Sequence, residues 1–130
     1  MQYKTKELNI ISHPNNILEI SSSEESQGRF TLEEVENNLA MIKKAADNRN
    51  VATLVHVSST YVPKAVLKKY SDLDYVIFTG LIVNSYASKL IGNLFLSIIL
   101  RLNSRQVPTK LFTDKETAIE WLTEQLKKQE

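Results

Sequence analysis

Three consecutive hydroxyl residues, Ser58, Ser59 and Thr60, follow the apolar run Val51 to Val57, VATLVHV, in which His56 is the one ionisable side chain. A hydroxyl next to an imidazole invites a reading as nucleophile and base. Residues two apart on a strand point to the same side, so His56 and Ser58 can approach each other. The pair lacks a third group to orient the imidazole and a glycine to form a nucleophile elbow, so hydrolase chemistry is the weakest use of this stretch. A better use is phosphate acceptance. The hydroxyls stand where a strand runs out and a helix is about to begin, the place where α/β sheets put their ligand sites. A phosphate carrying about −1.5 to −2 charges beside a helix start and Lys64 would be electrostatically favoured. Against this stands a plain structural role as turn formers and caps. Ser58, Ser59, Thr60 and Lys64 are the candidate phosphorylation or interaction corner.

Other chemistries fail on named residues. Only Gly28, Gly80 and Gly92 exist, and none falls in a GxGxxG or GxxxxGK[ST] spacing, which removes dinucleotide and P-loop sites. A phosphate-accepting aspartate at the end of the central strand is absent, because that strand ends in Val57-Ser58. The two histidines, His13 and His56, come from different elements without ligand spacing, so no metal site is expected and His56 reads as a hydrogen-bonded core residue. There is no cysteine, which excludes disulfides and thiol chemistry. Sixteen basic against fifteen acidic residues leave a net charge of +1, too little for a nucleic-acid footprint. No catalytic residue and no cofactor are expected.

These residues must be positioned by elements that the pattern of the 130-residue chain outlines. Thr5 to Ile11 and Ile17 to Ile20 carry β-formers around His13-Pro14-Asn15-Asn16, which predicts a hairpin. The polar stretch SSSEESQG reads as a loop. Thr31 with Glu34 forms a capping box, Phe30 and Val35 a hydrophobic staple, and Leu32, Val35, Leu39, Ile42 and Ala46 one face of a helix. VATLVHV is the pattern of a central strand covered on both faces. Pro63 opens a short helix through Tyr70, and DYVIFT is a strand ended by Gly80.

From Asn84 to Leu102 a long helix places Ala87, Leu90, Ile91, Leu94, Phe95, Ile98 and Leu102 on one face. Leu96, Ile99 and Leu100, with Gly92, lie on the other side. That is more apolar surface than one sheet contact consumes, and it predicts a dimer or partner surface. Polar residues interrupt the segment too often for a membrane span. TKLF is the closing strand, and Thr113 with Glu116 caps a last helix with Ala118, Ile119, Leu122 and Leu126 inside and Trp121 at its border. The order ββ-α-β-α-β-α-β-α implies a single α/β domain over residues 1–130, with a mixed, mostly parallel sheet. The N-terminus lacks the apolar core of a signal peptide, so a cytoplasmic location is expected.

The stretch Leu111-Phe112-Thr113-Asp114, followed by Ala118-Ile119-Glu120-Trp121-Leu122, together with Ile91-Gly92-Asn93-Leu94-Phe95 and the hydroxyl cluster, resembles the STAS-like fold of anti-sigma-factor antagonists, especially SpoIIAA-like proteins. The resemblance covers roughly Phe30 to Leu126. It implies a non-catalytic regulatory or protein-interaction module. In such antagonists a partner kinase phosphorylates a serine or threonine in an Asp-Ser-Ser/Thr-Gly stretch. The aligned residues here are Val57-Ser58-Ser59-Thr60, without that aspartate and glycine. Lipid-binding folds of similar layout make a carrier of a small apolar ligand, held between the long helix and the sheet, the alternative. Expected partners are another protein or a second copy forming a homodimer.

Overall fold

The computed structural model describes residues 1–24, 30–57, 64–83 and 107–129. The elements are β1 (Gln2–Lys4), β2 (Leu8–His13), β3 (Ile17–Ser22), α1 (Val35–Ala46), β4 (Val51–His56), α2 (Lys64–Ser71), β5 (Val76–Ile82), β6 (Thr109–Phe112) and α3 (Lys115–Lys128). Six strands form one mixed sheet in the order β1-β2-β3-β4-β5-β6. The first three are antiparallel, and β3 to β6 run parallel. This is the α/β architecture expected from the alternation of strand and helix patterns. The long helix expected from Asn84 to Leu102 lies outside the described residues.

Alternating strand residues split the core in two. Leu8, Ile10, Leu18, Ile20, Val51 and Val76 meet Ile42, Ala45 and Ala46 of α1, with Tyr70 of α2 packed alongside. Ile17, Ala52, Leu54, Phe78, Ile82 and Phe112 meet Ala118 and Leu122 of α3 on the other face. A strand covered on both sides has no polar face, which is why β4 reads as an unbroken apolar run.

The hairpin forms as expected, but its first arm starts at Leu8 rather than Thr5. Thr5 Oγ1 accepts from the backbone N–H groups of Glu7 and Leu8 at 3.2 and 2.9 Å, so Thr5, where the first strand was expected to begin, instead lies in a hydroxyl-centred turn between an unforeseen β1 and β2. Asn16 closes the β2–β3 turn at φ 62°, a conformation that Asn tolerates better than most residues.

Two helix starts differ from expectation. Only half of the capping box expected at Thr31 forms: its Oγ1 accepts from the Glu34 N–H at 3.4 Å, while the buried carboxylate of Glu7 accepts from the Thr31 N–H and hydroxyl at 3.0 Å. With the Thr31 N–H taken, Glu34 cannot complete a capping box, and its carboxylate accepts from Asn37 instead. The helix begins at Val35, leaving Leu32 57% exposed rather than on the inner face. At α3 the cap is Asp114, not Thr113. Its carboxylate accepts from the Thr117 N–H at 2.9 Å and from the Thr117 hydroxyl.

Gly80 does not end β5, which continues to Ile82. A Cβ at Gly80 would stand 3.5 Å from Leu54, Phe112 and Leu122. That is ordinary contact, so a methyl group fits there, and a longer side chain would meet Leu54, Phe112 or Leu122.

Candidate functional site

Glu19 stands in the middle of β3, on the face that α3 covers. Ile17 and Glu19 share that face because strand residues alternate, while Leu18 and Ile20 turn to the α1 side. Only 7% of Glu19 is exposed. A carboxylate so placed needs donors, and three elements supply them. His13, the last residue of β2, reaches Oε1 with Nε2 at 2.8 Å. His56, the last residue of β4, reaches Oε2 with Nε2 at 2.7 Å. Lys115, the first residue of α3, reaches Oε1 with Nζ at 2.9 Å.

Burial works against the charge on Glu19, but hydrogen bonds from Lys115, His13 and His56, with the Lys115 charge, outweigh it and hold the carboxyl down at about 2. The group is therefore an anion at neutral pH, and an ionised carboxylate only accepts. Both imidazoles must then donate from Nε2, which fixes Nδ1 of each neutral ring as the nitrogen carrying the lone pair. Chemically, Glu19 is a poor base and a poor nucleophile, because its charge is stabilised and both oxygens are engaged. No group of three or more His, Cys, Asp or Glu is arranged to hold a metal among the described residues.

A second buried carboxylate organises the opposite face. Besides Thr31, Glu7 accepts from Asn38 Nδ2 at 2.8 Å. The same nitrogen donates to the Tyr70 hydroxyl at 2.9 Å, and Thr5 Oγ1 donates to Asn38 Oδ1 at 2.5 Å. Burial, joined by the nearby Glu7 charge and only partly offset by the Asn38 hydrogen bond, pushes the Tyr70 phenol up to about 12. This network ties the β1–β2 turn to α1 and α2.

The candidates named from sequence fall largely elsewhere. Ser58, Ser59 and Thr60 lie outside the described residues, as do Gly92, Leu96, Ile99 and Leu100. Lys64 opens α2, and its side chain is likewise outside the description. His56 is hydrogen-bonded as expected, and its Nε2 is committed to Glu19, although the side chain keeps 34% of its exposure. Sequence reading missed Glu19 and Glu7 as organising groups. The available signal was a lone glutamate inside the apolar strand ILEI.

The chain belongs to the family described as Domain of unknown function (DUF7793), whose family model matches residues 11–126. That span runs from β2 into α3 and contains His13, Glu19, His56 and Lys115. No curated protein matches the chain. No solved structure matches it. No helix among the described residues is long and apolar enough to cross a membrane.

Proposed function

We propose that this chain is a non-catalytic regulatory module that works through protein–protein contact, with a second copy of itself as partner. The observation that supports this reading is the state of Glu19. The most concentrated set of ionisable groups among the described residues is closed on itself, with each Nε2 and the Lys115 ammonium bonded to one carboxylate held at about 2. Such an arrangement locks β2, β3, β4 and α3 together; it offers no activated nucleophile. The contact surface is proposed from the sequence alone: read as a helix, residues 84–102 have a second apolar stripe, Leu96, Ile99 and Leu100, beyond the one expected to face the sheet. The likeness to STAS-like regulatory proteins agrees with this use, and Ser58, Ser59, Thr60 and Lys64 are then the corner at which the contact is modulated.

Native mass spectrometry of protein purified from its source cell tests the reading. A module of this kind gives the mass of two unmodified or phosphorylated chains. A monomer carrying the extra mass of a retained apolar ligand would replace it with the carrier reading.

A further inference from the structure

His13, Glu19 and His56 form a diagonal line across β2, β3 and β4, and Lys115 pins the start of α3 onto its centre. The two imidazoles keep 29% and 34% of their side-chain exposure, so protons reach them from solvent. Each ring bonds Glu19 through Nε2, and a proton adds at Nδ1 without breaking that bond.

We infer that His13 and His56, joined through the Glu19 carboxylate, are a coupled proton sensor built into the joint between the hairpin, β4 and α3. With both rings neutral, the Glu19 anion and the Lys115 cation cancel. With both rings charged, the cluster carries a net charge of +2 and one carboxylate is shared by three cations. Each proton taken up therefore opposes the next. His13 and Lys115 compete for the same oxygen, Oε1. Lys115, at 46% exposure, is the cation most readily stabilised by water instead, so acidification releases the first residue of α3 from β3. The Glu19 carboxyl itself stays ionised throughout this range, since it is held at about 2.

Among the described residues, the neighbouring charges are engaged elsewhere or exposed. On β6, Lys110 lies over the rings of Phe112 and Trp121 at 5.5 and 6.0 Å. At the start of α3, Asp114 is bonded to Thr117, and Glu116 is exposed. Beside β2, the Met1 ammonium donates to the Ser12 carbonyl at 3.3 Å, and Lys4, on β1, is exposed. Helices α1 and α2 pack on the opposite face. The sensor stands or falls independently of whether the chain associates with a partner.

The test is a titration of the imidazole ¹⁵N signals by NMR in the intact chain, in wild type, His13→Gln and Lys115→Met. Glutamine keeps a donor for Glu19 but does not titrate. In His13→Gln the His56 curve should move to higher pH, because a like charge on the shared carboxylate is gone. In Lys115→Met both rings should move the same way. A His56 curve that is unchanged in both variants overturns the coupling. Lys115 is half-exposed, so that variant reports even where the histidine substitution disturbs the hairpin.

Discussion

His56 at the end of β4 donates to Glu19 in the middle of β3 across 2.7 Å, so a residue that reads as part of an apolar core run in fact satisfies a buried anion on the next strand. That bond, with its counterparts from His13 and Lys115, makes Glu19 the polar centre of the α3 face.

Acid stability should follow from this. Glu19 is depressed from 4.5 to about 2, so its contribution is fully present above pH 4.5 and is lost as pH falls toward 2. Glu19→Gln should lower the stability by roughly 2 to 4 kcal/mol near neutral pH, because the three donors lose their charged acceptor. The gap between variant and wild type should shrink between pH 4.5 and 2. Chemical denaturation across that range measures it; a constant gap would mean that the carboxylate is not held as described.

The network on the opposite face predicts a pH effect from a single added oxygen. Asn38 is fully buried and gives its amide hydrogens to Glu7 and Tyr70. Asn38→Asp replaces that donor with a second carboxyl group in contact with Glu7. The expected loss is about 2 kcal/mol or more at pH 7, smaller near pH 4 where one carboxyl can hold a proton. Melting temperatures of wild type and variant at the two pH values decide it. A larger loss at the acid pH would contradict the placement of Asn38.

At Gly80 the geometry separates two substitutions. A methyl group meets its neighbours at 3.5 Å, ordinary contact, so Gly80→Ala should change stability by less than about 1 kcal/mol. Gly80→Leu must displace Leu54, Phe112 or Leu122 and should cost about 1 to 3 kcal/mol or more. Equal losses by denaturant unfolding would show that backbone conformation, not packing, selects glycine here.

The elements whose pattern is long were legible in the chain itself. The both-sided burial of VATLVHV, the hairpin around Pro14 and Asn16, and the inner face of α3 through Ala118 and Leu122 follow from periodicity and turn chemistry alone. What was not legible depended on partners distant in sequence. Thr31 accepts from the Glu34 N–H as a cap would, but the reciprocal bond is lost because Glu7, 24 positions earlier, takes the Thr31 donors. Gly80 looked like a strand end because glycine usually breaks strands, and the packing of Leu54, Phe112 and Leu122 around it, which leaves space for little more than a methyl group, depends on residues distant in sequence. Three residues suffice for β1, too few for a period to show. The site was hidden for the same reason. His13, Glu19, His56 and Lys115 share no spacing, and only the register of β2, β3 and β4 with the start of α3 brings them together.

Self-association is decided by sedimentation velocity over a wide concentration range, comparing wild type with a Leu96→Glu, Ile99→Glu double variant. Wild type should shift from monomer to dimer as concentration rises, and the variant should stay monomeric with an unchanged circular-dichroism spectrum. A wild type that sediments as a monomer at every concentration would contradict the account.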